Sequence, residues 1–498
     1  MKKLNYQTLE EQGYDGYLLN EAPERILQFG EGNFLRGFVE DFVDQMNEKA
    51  GFHTKVVACQ PSSQSPAGSD RINSQEGLYT LLIRGYENGT AVEKKRVISC
   101  ISRCLNLYRD YDAWMDCAKN PDLRFITCNT TEAGIVYDPS CQFTDKPAAS
   151  YPGKLTQFLY KRFQEFGQVS GKGFIILACE LIDDNGKALK NCVLHYAKQW
   201  NLGTEFENWI ETENLFCSTL VDRIVTGYPH NEAEKLCKTF GYEDQLIDTG
   251  EVYSIWVIEG PDWLKKELPF EEAGLPVLIC DDHKPYKQRK VRILNGAHTS
   301  MVPGAYLAGQ DIVRDCMNDS VIEGFMSKTL QDEIIPTLAL PKEELLEFAG
   351  AVKERFQNPF IDHALLSICL NCTSKWKARV LPSFKAYLEQ TGELPKCLTA
   401  SFAFYIALYR SGQLTEKGLL CHRGQEEYLL NDDAAVLKFY DEHSQDSSEA
   451  LAHAVCSNID FWGEDLSLIP GFETSITELL EAIKNHGTYE VMNNCLAS

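Results

Sequence analysis

No apolar run in this 498-residue chain approaches the roughly 18–20 residues that a membrane-spanning helix needs. The longest, Phe174 to Ile182, is interrupted by Glu180 and reads as a buried strand. Positive charge is also scarce, with 48 Lys and Arg against 72 Asp and Glu, a net charge of −24. That balance argues against nucleic acid and against anionic membrane surfaces as partners. It also means that an anionic substrate must be held by a local concentration of cations. Met1 to Gln7 carries two lysines with no apolar segment after them, which is not the pattern of a signal peptide, so a cytoplasmic location is expected. The chain has 18 cysteines but a single CxxC, Cys369-Leu370-Asn371-Cys372, with no second pair at zinc-ribbon spacing. Many of the others lie in apolar runs, where Cys packs as a small hydrophobe. Reduced thiols and no metal are expected. No repeat of fixed period is present.

A chain of this length exceeds one compact core, so at least two domains are expected. The first half alternates strand-like and helix-like runs. Arg25 to Phe29 is a short apolar strand followed at once by Gly30-Glu31-Gly32-Asn33-Phe34-Leu35-Arg36-Gly37. Phe34, Phe38, Phe42 and Met46 then recur at i+4, with Glu40, Asp41 and Asp44 interleaved, the pattern of an amphipathic helix. Strand, glycine turn and helix is the setting in which backbone N–H groups cradle a pyrophosphate. The match to G-x-G-x-x-G is incomplete, because Leu35 fills the third glycine position and the next glycine is Gly37. A second strand, Lys55 to Cys59, ends at Gln60, where an Asp or Glu usually holds the adenosine ribose.

A hairpin is expected from Gly77 to Ser99, turning at Asn88-Gly89. Leu123 to Cys128 and Gly173 to Cys179 read as further buried strands. Each runs into a polar turn, Asn129-Thr130-Thr131-Glu132 and Glu180 to Gly186. Such residues line the ligand crevice of a doubly wound sheet, although they equally suit a capped turn. Helical segments are expected between about 188 and 225, then strands at Val252 to Ile258 and Pro276 to Cys280. Together these predict an α/β, Rossmann-like dinucleotide-binding domain over 1–286. Beyond it, runs such as Lys342 to Phe356 and Leu398 to Leu408 keep 3–4-residue apolar spacing, and no strand-like run is seen, which predicts a mostly α-helical domain over 287–498.

The opening of that second half, Lys290-Val-Arg-Ile-Leu-Asn-Gly-Ala-His-Thr-Ser300, carries polar residues suited to carbonyl reduction. On a helix, Lys290, Asn295 and His298 fall within an arc of about 140°. A lysine can exchange a proton with an alkoxide, an amide can hydrogen-bond the oxyanion, and an imidazole can hold a neighbouring hydroxyl. A helix that merely carries three polar residues is the alternative.

Further residues break that tie. Lys290-x4-Asn295-x2-His298, the segment Phe216-Cys-Ser-Thr-Leu-Val-Asp-Arg-Ile224 and the Gly30/Gly32 turn resemble the mannitol dehydrogenase family, the long-chain polyol dehydrogenases. The resemblance covers almost the whole chain. The stretches Ile26 to Arg36, Cys179 to Asp183 and Asn358 to His363 are similar to a branch of that family acting on a keto-hexuronate, and less like its mannitol and fructuronate enzymes. The resemblance implies NAD as cofactor, NADH over NADPH, a sugar-acid substrate and no metal. It places the cofactor at Gly30 and Gly32; Asn33, Phe34 and Arg36 of the same turn, and Asn129, Thr130 and Glu132 of the polar turn, are further candidates for it. Lys290 becomes the proton donor, Asn295 the carbonyl polariser and His298 a substrate contact. Members acting on mannitol carry a further oxyanion-binding Asn where this chain has Leu181, and Asn185 is the candidate to replace it. Lys375 and Arg379, which share a helix face at i, i+4 while Lys377 points away, are the candidates for the substrate carboxylate; a solvated basic face paired with surface acids is the alternative. A dinucleotide-binding sensor that had lost the chemistry would have no physical need of Lys290.

Overall fold

The computed structural model describes residues 1–62, 66–87, 89–130, 134–167 and 169–497. It comprises two compact units, one of Met1–Glu87 and Val92–His283, the other beginning at Lys284.

The first unit is built on an eight-stranded sheet. Its strands are β1 (Glu24–Phe29), β2 (Lys55–Gln60), β3 (Ile101–Asn106), β4 (Phe125–Cys128), β5 (Ile175–Ala178), β6 (Leu215–Asp222), β7 (Ile255–Glu259) and β8 (Val277–Cys280). Their spatial order is 3-2-1-4-5-6-7-8. β1 to β6 are mutually parallel, β7 runs antiparallel to β6, and β8 is parallel to β7. The central strands are short apolar runs because both faces are covered. Side chains alternate between two cores: Ile26, Val56, Phe125, Ile175 and Leu177 pack under the helical run 33–50, with Phe38, Phe42 and Trp256. Leu27, Val57, Ile126 and Ile176 pack on the other face with Trp114, Phe158 and Val193. Helices Tyr151–Phe166 and Asn185–Gln199 cover that second face.

The segment 188–225 is not helical throughout. Helices Asn185–Gln199 and Thr204–Glu213 are followed by β6, so most of the family-like segment 216–224 is strand. It pairs with β5 on one side and β7 on the other. The expected hairpin pairs Tyr79–Glu87 with Thr90–Ile98, Asn88 of its expected turn lying outside the described residues, and a strand at Asp248–Glu251 adds parallel to its first arm.

The second unit is mainly helical. Helix Lys396–Tyr409 is buried almost all round, and Phe402, Trp376, Trp462, Phe384 and Phe472 form an aromatic cluster about it. The expectation of no strands here is overturned by an antiparallel sheet of Gln413–Thr415, Gly418–Arg423 and Glu426–Leu430. Those strands are short and carry polar residues on one face, so their apolar pattern is too brief to stand out from the flanking helices.

Candidate functional site

In the first unit the strand order reverses between β1 and β4, and ligands of open α/β sheets bind outside the carboxyl ends of strands at such a point. Gly30 to Asn33 leaves the end of β1 there, and Asn129 and Thr130 leave the end of β4. Gly30 has φ +118, and a Cβ on it would lie 2.7 Å from Leu35 Cδ1. Leu35, in the third glycine position, therefore fills the space beneath the turn. The close-approach role passes to Gly37, where a Cβ would meet Val225 Cγ1 at 2.8 Å. A Cβ on Gly32 would touch nothing within 4 Å, and Gly32 caps the helical run 33–50 without a side-chain hydrogen bond. An open glycine before an uncapped helix start offers N–H groups and positive dipole to a phosphate, so the residues present fit a dinucleotide.

Arg36 is buried and ties the turn to itself. Its Nη1 donates to the Glu31 carbonyl (3.1 Å) and its Nη2 to Asn33 Oδ1 (2.7 Å), while Nε lies 3.7 Å from Asp248 Oδ2. Phe34 stacks on Phe38 at 5.1 Å. On the β4 side, the Asn129 amide donates to the Cys179 carbonyl (2.9 Å). The Thr130 N–H and hydroxyl both donate to Glu180 Oε1, at 3.0 and 3.1 Å. Burial pushes the Glu180 carboxyl up, and the Thr130 donors with the Cys128 thiol pull it back. Glu180 is a brace that the sequence reading missed. Glu132, assigned to the cofactor, lies outside the described residues.

Asn185 does not serve as a spare oxyanion donor. It is 1% exposed, and its Nδ2 donates to the carbonyls of Glu180 (2.9 Å) and Thr219 (3.0 Å). Its Oδ1 accepts from the N–H groups of Thr219 and Gly186, both at 2.9 Å. With both amide hydrogens committed to the backbone, nothing remains for a substrate. Leu181 beside it is 62% exposed.

In the second unit the chain from Lys284 to Leu307 is one helical run containing a π-helical turn at Lys290–Asn295. A π turn closes i→i+5, so Asn295 lies one turn on from Lys290 and on its side of the helix. His298 follows at i+3. The K-x4-N-x2-H spacing thus fits the π turn better than the α-helix expected. Lys290 and Asn295 are half-buried.

The His298 ring stacks on Phe356 (4.0 Å, 9°) and meets His363 edge-on at 5.4 Å. Its Nε2 is buried without a hydrogen-bond partner. Burial, then His363, Arg355, Arg379 and Lys375, hold its pKa well below the usual imidazole value, so His298 is neutral. The leading charged groups that act on it are all basic.

Lys375 and Arg379 lie four apart on helix Cys372–Arg379. Lys375 Nζ donates to the Ile368 carbonyl at 2.8 Å, and burial with the neighbouring Arg379 pushes its pKa down. The missed members of this cluster are Arg355 and His363. Arg355 stands in the last turn of helix Lys342–Phe356, where a basic residue usually signals only a favourable helix end. His363 sits in a stretch that carried a family likeness but no readable chemistry.

Among the described residues, one group has metal-ligand chemistry, Asp184, Glu259 and His283. The Lys187 ammonium already lies against it, 2.7 Å from Glu259 and 3.3 Å from Asp184, and His283 Nδ1 is 2.7 Å from Glu259.

Strand order 3-2-1-4-5-6 with a glycine turn at the reversal is that of a Rossmann-type dinucleotide-binding domain. The chain belongs to the mannitol dehydrogenase family: the model of that family's Rossmann domain matches residues 24–272, and that of its C-terminal domain residues 282–484. The altronate oxidoreductase of Cronobacter sakazakii is 46% identical over 488 residues, 97% of this chain and 98% of the relative. That of Escherichia coli is 45% identical, covering 95% and 97%. Two solved structures share the fold: a D-sorbitol dehydrogenase in substrate-free form (TM-score 0.82, 21% identity, 99% and 100% coverage) and the Pseudomonas fluorescens mannitol 2-dehydrogenase in ternary complex with NAD and D-mannitol (0.67, 22%, 99% of both).

Proposed function

We propose that this oxidoreductase interconverts D-tagaturonate and D-altronate with NADH and NAD. The observation that carries the reading is the set of basic groups around His298, in a chain of net charge −24. Mannitol or fructose would give those groups no counter-charge, whereas a uronate brings a carboxylate. The names of the 43–46% identical relatives agree with this.

The residues at Gly30 to Arg36 and at Asn129 and Thr130 hold the dinucleotide, which when bound supplies the hydride to the ketone carbon. Lys290 gives a proton to the oxygen that becomes the alcohol, and takes it back in the reverse direction. The Asn295 amide donates to that oxygen as negative charge develops. Neutral His298 uses its unpartnered Nε2 on a neighbouring substrate hydroxyl. Arg379 grips the carboxylate through its planar fork and Lys375 adds a point charge.

The test is oxidation of NADH on adding tagaturonate, followed in the parent and in three variants. Lys290→Ala should bind NADH but lose about 10² to 10⁴ in turnover. Lys375→Met and Arg379→Met should each raise KM for tagaturonate by about one to two decades, with NADH affinity unchanged and weak activity on an uncharged ketose falling less. Turnover of Lys290→Ala within twofold of the parent would remove that residue from the chemistry. Equal losses on charged and uncharged substrates would remove the carboxylate role.

A further inference from the structure

The CxxC motif is left unused by the reaction above, yet it underlies the carboxylate arm. The neighbouring Cys372 sulfur and burial hold the Cys369 thiol well above the usual range. The two residues are 1% and 2% exposed. They lie directly beneath a surface turn, because Leu370 between them is 48% exposed and Asn371 is exposed with φ 53. Cys372 opens helix Cys372–Arg379, and the charges of Lys375 and Arg379 bear on its sulfur. A helix N-terminus and neighbouring cations are the surroundings that favour reaction at a cysteine sulfur.

We infer that Cys369 and Cys372 form a reversible dithiol–disulfide site, oxidised by peroxides, whose closure weakens binding of the substrate carboxylate. The Cys372 sulfur attacks one peroxide oxygen as the O–O bond breaks, leaving a sulfenic acid, and the departing hydroxide takes up the thiol proton as water. The Cys369 sulfur then attacks the Cys372 sulfur, the S–O bond breaks, and the departing hydroxide leaves with the Cys369 proton as a second water. Two thiols lose two electrons and the peroxide gains them.

The effect on substrate runs through Lys375. Its Nζ is anchored on the carbonyl of Ile368, the residue before Cys369, and its own N–H donates to the Asn371 carbonyl at 3.1 Å. A covalent S–S bond is shorter than any S–H···S contact, so closure draws the two ends of this turn together and shifts both anchors. This consequence rests on the reading of Lys375 and Arg379 as the carboxylate arm; formation of the disulfide does not. A second pair of neighbouring thiols, Cys397 and Cys495, joins helix Lys396–Tyr409 to the C-terminal helical run and competes for the same oxidant.

The full-length enzyme is treated with hydrogen peroxide, and its disulfides are mapped by peptide mass spectrometry without reduction. A 369–372 disulfide is expected, with KM for tagaturonate raised about tenfold or more, NADH affinity unchanged and both restored by dithiothreitol. Cys372→Ser, and Cys369→Ala if serine is rejected by that buried position, should keep their KM under peroxide. Cys397→Ser should respond as the parent does. Absence of a 369–372 disulfide where 397–495 has formed overturns the site, and a mapped 369–372 disulfide with unchanged KM overturns its effect. Lys375→Met separates the two readings: if that variant keeps the parent KM, the carboxylate assignment fails while the disulfide map still decides the site.

Discussion

Gly30 and Asn185 are both polar-turn residues at the carboxyl edge of the sheet, and the structure gives them opposite tasks. At Gly30 the backbone conformation excludes a side chain and keeps the turn tight against Leu35. At Asn185 the side chain is consumed in four hydrogen bonds that join the 180–186 turn to β6. Asn185→Ala should therefore act on stability. It leaves buried backbone groups of Glu180, Thr219 and Gly186 unpaired, each worth about 1–3 kcal/mol. A urea midpoint well below the parent is expected, with KM for tagaturonate in the surviving folded protein within about twofold. A large rise in KM without loss of stability would restore Asn185 to the substrate. Sequence alone told donors from non-donors but not whether a donor was already spent, since that depends on Thr219, 34 residues away. Lys290, Asn295 and His298, and separately Lys375 and Arg379, stand out as candidates in the sequence because the spacing within each group is local. Arg355 and His363 do not, because only tertiary packing sets them against His298.

Two π turns lie within the helical runs that carry the candidate site residues, Arg36–Glu40 behind the glycine turn and Lys290–Asn295 in the second unit. Each changes which residues share a face, a shift invisible to a reading based on 3.6-residue periodicity. The first run is pinned by Arg223, whose Nη1 donates to the Gly37 carbonyl (2.8 Å) and to Asp41 Oδ2 (2.7 Å). That explains a charged residue at the end of β6, in a segment whose sequence suggested helix. Strand and helix compete there because Leu215 to Val221 carries apolar residues on both faces with Ser218 and Thr219 among them, so it shows no clean two-residue alternation, and only pairing with β5 and β7 decides the outcome. The hairpin and the strands β1, β2, β4 and β5 were readable, since each is a short apolar run bounded by turn residues. At Gly37 the helix and the loop after β6 touch so closely that a Cβ would overlap Val225. Gly37→Val should cost about 1–3 kcal/mol through overpacking and weaken NADH by displacing the start of the run. Thermal melting and fluorescence titration read the two effects, and unchanged values in both would show that the run can shift without consequence.

At the scale of the whole molecule, an acidic chain has buried a set of acids whose ionisation opposes folding. Burial is the leading cause that pushes up the carboxyls of Glu40, Asp44, Glu180, Asp244 and Glu333, and it raises Asp248 to about 7. A carboxyl that titrates higher in the folded than in the unfolded chain makes the native state bind more protons, so stability falls as pH rises between the two values. Surface acids such as Glu234 and Asp262, held low by nearby lysines, have the opposite sign, but they are fully exposed and screened. His298 and His363, held low, also oppose: they bind fewer protons when folded and cost stability as pH drops below the free imidazole value. The total pH curve is therefore squeezed from both sides and does not isolate any one group. The difference between Asp248→Asn and the parent does, because the histidines and the other acids cancel. Asp248 shifts from 3.8 to about 7, and each unit is worth about 1.4 kcal/mol. Stability of Asp248→Asn relative to the parent should rise by about 2–3 kcal/mol between pH 5 and 7.5 and level off above, whatever its starting offset from loss of the Arg36 contact. Urea titrations of both proteins across that range measure it. A difference that stays flat, or falls, would mean that Arg36 at 3.7 Å outweighs burial and keeps Asp248 ionised throughout.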